Sequence, residues 1–255
     1  MDRTDKIKQE EFPLPRYVQE VLSKHNISLP SLWGRGKGEG LLGSLSVLAL
    51  QSHRYPDIDM PFLLDQLAGW QTARTKLPSW AAKEDIIYPP HLSMEQCSSE
   101  QTAEYKARLV AWLVGVDNLI SSDLNNDCSR PSAGEKTIPK QQENHVRNSF
   151  EGSFCDLTGG FGVDFSFIAR SFKRAIYVEQ QEKLCELARH NFHALGLTQA
   201  EVVNDDGTVY LHQLHHVSVL FLDPARRNEQ GGKTVLINDC TPDVLALEEE
   251  LLEKA

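Results

Sequence analysis

The chain is 255 residues long with 40% hydrophobic and 24% charged residues, which excludes a wholly disordered chain and fits one large domain or two modest ones. Its formal net charge is −10, and residues 151–255 alone carry 9 basic against 17 acidic groups. That balance excludes strong non-specific attraction to nucleic-acid phosphate by this chain alone, though not a local basic groove. The longest apolar runs, Leu41–Leu50 and Leu109–Val116, fall short of the roughly 20 residues needed to span a bilayer. The polar start, MDRTDKIKQEE, has no apolar signal core. Five scattered cysteines (Cys97, Cys128, Cys155, Cys185, Cys240) form no C-x-x-C pair, so neither a zinc cage nor a disulfide framework is expected. A reducing, cytoplasmic setting and a site without metal fit that usage best.

In chain order, apolar residues at helical spacing predict helices over Tyr17–Leu22, Ser44–His53, Pro61–Trp70 and Ser99–Leu119. Ser98 and Gln101 have capping-box spacing before the last of these. Its stripe of Tyr105, Leu109, Trp112, Leu113 and Val116 is expected to pack into a core. The Gly34–Gly43 stretch contains Gly36-Lys37 but then Gly38, not Ser or Thr, so it is no phosphate loop and reads as a flexible turn region. Tyr88-Pro89-Pro90-His91 is an extended break. Ser121–Asn148 is polar and reads as a connection, dividing a helical region (residues 1–148) from a second domain (149–255).

Beyond residue 150 the pattern becomes strand, helix, strand. Strands are predicted at Ser153–Cys155, Ala175–Val178, Glu201–Val203 and Val217–Leu222. Helices are predicted at about Val163–Phe172, Gln181–Leu195 and Thr208–Leu214, with a last one within Pro242–Ala255. This alternation implies an α/β fold with a parallel sheet. Each strand ends in polar residues: Asp156 before Thr158-Gly159-Gly160-Phe161-Gly162, then Glu179, then Asp205 and Asp206, then Asp223-Pro224. Open parallel sheets bind ligands at that edge. The glycine turn does not match the dinucleotide fingerprint, because Phe165 stands where its third glycine belongs. Glu179, 17 residues after Gly162, is placed to accept hydrogen bonds from both hydroxyls of a ribose. Asp164 reads equally as a helix-start residue or as a partner for a ligand's ammonium.

These strand-end residues resemble the motifs of the class I S-adenosylmethionine-dependent methyltransferases, which have a Rossmann-like core. The stretches KLPSWAA, YPPHLSMEQCSSEQTAEYKA, LTGGFGVD, YVEQ and DPARR resemble a bacterial subgroup in which a helical region precedes that core and a THUMP-like domain, related to RNA-binding modules, follows it. The likeness spans about residues 45–255. It implies S-adenosyl-L-methionine as cofactor, held by Asp156, Thr158, Gly159, Gly160, Phe161, Gly162 and Asp164, with Glu179 on the ribose and Asp206 or Asp205 on the adenine side. It also implies a transfer site at Asp223 and Pro224, without metal, and an RNA base as acceptor. Thr158 stands where the commonest form of the first motif has a glycine.

Ala225 and Arg226 replace the second proline and the aromatic ring found in methylators of exocyclic amines. Asp-Pro-Ala-Arg also resembles the fourth motif of RNA 5-methyluridine enzymes, whose cysteine nucleophile Cys240-Thr241-Pro242 superficially echoes. Arg226 and Arg227 read equally as RNA-phosphate contacts or as surface ion-pair partners. The alternative overall reading is a module that keeps the fold and the ligand but transfers nothing. The family's seven-stranded sheet has only four counterparts here, so the expectation is a core truncated after the fourth strand, with Val217, Val219 and Phe221, or their alternates, left exposed on an apolar edge or covered by another molecule.

Overall fold

The computed structural model describes residues 12–27, 45–46, 48–115, 150–225 and 240–255. The Gly34–Gly43 stretch, the connection from Ser121 to Asn148 with its domain boundary, and Arg226 and Arg227 lie outside the described residues. In chain order the elements are α1 (Arg16–Lys24), α2 (Met60–Lys76), α3 (Pro78–Ala81), α4 (His91–Gln96), α5 (Glu100–Leu113), β1 (Phe150–Asp156), α6 (Val163–Ile168), β2 (Phe172–Glu179), α7 (Glu182–Ala194), β3 (Ala200–Asn204), α8 (Gly207–Gln213), β4 (Val219–Phe221) and α9 (Val244–Lys254). Short 3-10 turns occupy Ser52–Arg54 and Ala169–Ser171. The chain divides into two compact units. One gathers Met1–Glu100, Gly160–Val163 and Gln181–Thr198; the other gathers Gln101–Gly159, Asp164–Gln180 and Gln199–Ala255.

In the first unit α2 is the central helix. Asp59 caps it by accepting the Phe62 N–H at 3.1 Å. Leu63, Leu67, Trp70 and Ala73 form its buried face. The apolar pattern stops at Trp70, but the helix runs on to Lys76 because no breaker intervenes before Pro78. Val18, Leu48, Met60, Leu63 and Leu67 make one core cluster.

The extended segment at Ile87 and Tyr88 has its backbone paired with side chains rather than with a strand. Gln66 donates from Nε2 to the Tyr88 carbonyl and accepts the Tyr88 N–H, both at 2.8 Å. Asn191 of α7 does the same for Ile87, both at 2.9 Å. Each amide presents one donor and one acceptor, so it completes the hydrogen bonds that a buried backbone requires.

The second unit holds a parallel four-stranded sheet in the order β3-β2-β1-β4. Asp156 lies opposite Tyr177 on β2 and Phe221 on β4, and Glu179 lies opposite Asn204 on β3. Strand alternation sorts the two faces. Phe154 and Tyr177 pack against Phe165 of α6, with ring centroids 5.6 and 5.5 Å from it. On the other face Cys155, Ile176 and Val178 pack with Leu211, Leu214 and Val217. β1 and β2 are longer than predicted: Phe150 and Phe172 pair at their starts, hidden in the sequence by Glu151-Gly152 and by a helix pattern that runs through Phe172.

Two expectations fail here. The large apolar stripe of α5 does not enter a core: Tyr105 is 68% and Trp112 61% exposed, and Leu109 and Leu113 are exposed as well. The helix instead buries the small residues Ala103, Val110 and Ala111. Val116 lies outside the described residues. Nor is Val217 left bare, at 4% exposed. α9 accounts for this: Leu247 and Leu251 join the same cluster, and the Val217 N–H donates to the Lys254 carbonyl at 2.8 Å.

Gly69 gives a test in which two effects oppose. Glycine to alanine in a helix interior ordinarily gains about 1 kcal/mol. A Cβ at Gly69 would lie 2.3 Å from the Tyr88 Cβ, a stem atom that cannot rotate away. Gly69→Ala should therefore destabilise by about 1–3 kcal/mol in urea unfolding. A stabilised variant would refute the close packing.

Candidate functional site

Parallel pairing brings the ends of β3, β2, β1 and β4 to one edge of the sheet, within the second unit. Asp156 ends β1 and is 1% exposed. A carboxyl so placed needs donors. Thr158 supplies its N–H at 2.9 Å and its hydroxyl at 3.4 Å. The same hydroxyl oxygen accepts the Asp223 N–H at 2.8 Å. Thr158 thereby ties the end of β1 to the residue that follows β4, a task no glycine could perform. Burial pushes the Asp156 carboxyl up to about 7; the Thr158 bonds oppose the rise and the Asp164 and Asp223 charges add to it.

The glycine turn is built from three different needs. At Gly159 a Cβ would overlap the Tyr177 ring at 2.2 Å, and its N–H donates to the Val178 carbonyl at 2.9 Å. Gly160 and Gly162 have φ of 55° and 84°, the left-handed region that glycine enters without strain. Phe161, between them, is buried against Trp80 in the first unit, with ring centroids 4.9 Å apart.

Glu179 is the buried last residue of β2. Asn204 pins the chain around it, donating to the carbonyls of Glu179 and Gln180 at 2.9 and 3.0 Å. Asp206 caps α8, its Oδ1 accepting the Thr208 and Val209 N–H groups. Asp205 Oδ1 accepts the Asp206 N–H.

One residue at this edge escaped sequence reasoning. Lys106 of α5 donates to Asp164 Oδ2 at 2.8 Å and to Asp223 Oδ2 at 3.2 Å, with its ammonium 5.3 Å from the Phe221 ring centroid. Burial works against its charge, but the two carboxylates outweigh it and raise its affinity for the proton. A clue was present: Lys106 lies three residues from Ala103 and four from Val110, on the buried side of α5.

Pro224 is half-buried, and Ala225 forms an isolated antiparallel bridge with Thr241, which sets Cys240-Thr241-Pro242 beside the Asp223-Pro224-Ala225 stretch. Among the described residues no group of three or more His, Cys, Asp or Glu side chains is placed to hold a metal ion, and no helix is long and apolar enough to cross a membrane.

No protein-family model matches the chain, and no curated protein matches it. Solved structures do. A Porphyromonas gingivalis W83 protein, provisionally described as a methyltransferase, matches with a TM-score of 0.57 and 22% identity over 93% of this chain. This chain spans only 46% of that one. A Bacillus cereus O-methyltransferase, solved with SAH, matches at TM-score 0.40 and 15% identity, covering 82% of this chain and 67% of its own. The first likeness establishes the fold. The sheet order and flanking helices are those of a Rossmann-like α/β core, and the parallel sheet is the one that the strand pattern predicted.

The state of Asp156 sets a pH dependence. Its folded value lies above that of an ordinary carboxyl near 4, so the folded protein keeps a proton that the unfolded chain releases in between. The stability it contributes is complete below about pH 4 and is lost as pH rises through about 7. Asp156→Asn keeps an oxygen for Thr158 and has no proton to lose. Its stability relative to wild type should therefore rise between about pH 5 and pH 8 in denaturant unfolding. Parallel pH curves for the two proteins would contradict the shift.

Proposed function

We propose that the chain is a class I S-adenosylmethionine-dependent methyltransferase acting on a base in RNA. The observation that carries this reading is the convergence of Asp156, Glu179, Asp205, Asp206 and Asp223 on one edge of the β3-β2-β1-β4 sheet. Open α/β sheets bind nucleoside ligands at that edge. Glu179 supports the cofactor reading, because a carboxylate at the end of the second strand is where a nucleoside's ribose is held in such sheets. The carboxylates of Asp164 and Asp223 already hold a cation, the Lys106 ammonium. When bound, the cofactor supplies an activated methyl group on a sulfonium. In this reading Asp223 orients the acceptor, and Thr158 holds the Asp223 backbone in place. The RNA acceptor is supported by the resemblance of KLPSWAA, LTGGFGVD and DPARR to the bacterial subgroup, and the activity of any longer protein belongs to the same proposal.

Two measurements test it. Glu179→Ala removes two charge-assisted hydrogen bonds worth about 1.5–3 kcal/mol each, so the dissociation constant of S-adenosylhomocysteine should rise about a hundredfold or more by calorimetry. An unchanged constant would remove Glu179 from the ribose site. Asp223→Ala should retain most of that affinity while losing transfer of labelled methyl groups to unmodified cellular RNA. Binding of the donor by wild type, with no transfer to any RNA pool, would favour the non-transferring module instead.

A further inference from the structure

Lys106 reaches further from its backbone than the two carboxylates that cradle it. Asp164 belongs to the first turn of α6. Asp223 follows β4 and is tied through its N–H to Thr158, and through Thr158 to Asp156. Phe221 is held in the sheet opposite Asp156. The two carboxylates are short side chains, and Asp223 and Phe221 sit on hydrogen-bonded backbone. Lys106 reaches them on a flexible four-carbon stem from a helix; its side chain is 24% exposed, between 13% for Asp164 and 54% for Asp223. Two carboxylates and an aromatic ring are a receptor for a cation, and the movable part is the cation now in it.

We propose that Lys106 determines the preference for charged donor over spent donor: it occupies this cradle when no cationic donor is present, yields it to the donor's sulfonium charge, and reoccupies it once that charge is gone. The proposal rests on the methyltransferase reading. In the transfer the S–CH3 bond breaks with both electrons left on sulfur, a lone pair of the acceptor forms the new bond, and the acceptor gives up a proton to solvent. The donor's charge thus falls by one. Lys106 then competes on better terms with a neutral thioether than with a sulfonium, which favours product release.

The test compares S-adenosylmethionine with S-adenosylhomocysteine, which differ in that charge. Calorimetry on wild type, Lys106→Met and Lys106→Arg would give both dissociation constants. Lys106→Met should tighten S-adenosylmethionine about tenfold (about 1.4 kcal/mol) more than it tightens S-adenosylhomocysteine. Lys106→Arg should keep the wild-type ratio. Equal tightening of both ligands, or no change, would overturn the proposal while leaving the methyltransferase reading intact. Failure of wild type to bind either ligand would overturn that reading and the proposal with it. Because Lys106→Met removes a charge that two carboxylates face, a second measurement uses wild type alone. Reductive alkylation of Lys106, followed by mass spectrometry, should be several-fold faster with saturating S-adenosylmethionine than with S-adenosylhomocysteine. Equal rates, or slower modification with S-adenosylmethionine, would overturn the proposal.

Discussion

A carboxyl group at the end of a central strand, almost wholly cut off from water, is the constraint around which the site is arranged. Asp156 cannot be left without donors there. Meeting that need forces the chain to turn at Thr158, whose N–H and hydroxyl both face back to the strand end. The Thr158 oxygen is then directed at the Asp223 backbone, so two strand ends are joined by one side chain. Gly159 follows because the Tyr177 ring fills the space beside it, and Gly160 and Gly162 follow because the return path is left-handed. The threonine that departs from the commonest motif is thus the residue that the local hydrogen bonding uses most.

The first unit solves a related problem by other means. Ile87 and Tyr88 run extended, yet they are not part of a sheet. Gln66 and Asn191 each offer an amide that imitates the neighbouring strand, one donor and one acceptor apiece. Either amide cut back to alanine would strand two backbone groups of a buried segment, which is the costly kind of loss. Gly69 lets α2 come close enough for its neighbour Gln66 to reach.

The legible features are those that repeat or end abruptly. Strands rich in Val, Ile and aromatic residues that stop at Asp or Glu marked a parallel sheet and the edge at which its polar ends gather. Polar residues that act at a distance left no such mark. Lys106 meets Asp164 and Asp223 across 58 and 117 positions of sequence, from a helix whose large apolar residues pointed attention to the wrong face. Gln66 and Asn191 look like ordinary surface amides until their partners are seen. The last helix was legible, but not its cover over Val217, because that depends on Leu247 and Leu251 meeting a strand some thirty residues earlier.

The outward face of α5 has an optical consequence. Of the tryptophans among the described residues, Trp112 stands in water, whereas Trp70 and Trp80 are enclosed. An indole in water emits at longer wavelength and meets soluble quenchers that enclosed indoles do not. Trp112 lies six residues beyond Lys106 on the same helix, about 9 Å along its axis. The molecule therefore carries its own fluorophore on the element that holds the cradle's cation, and movement of that helix can be followed without attaching a dye.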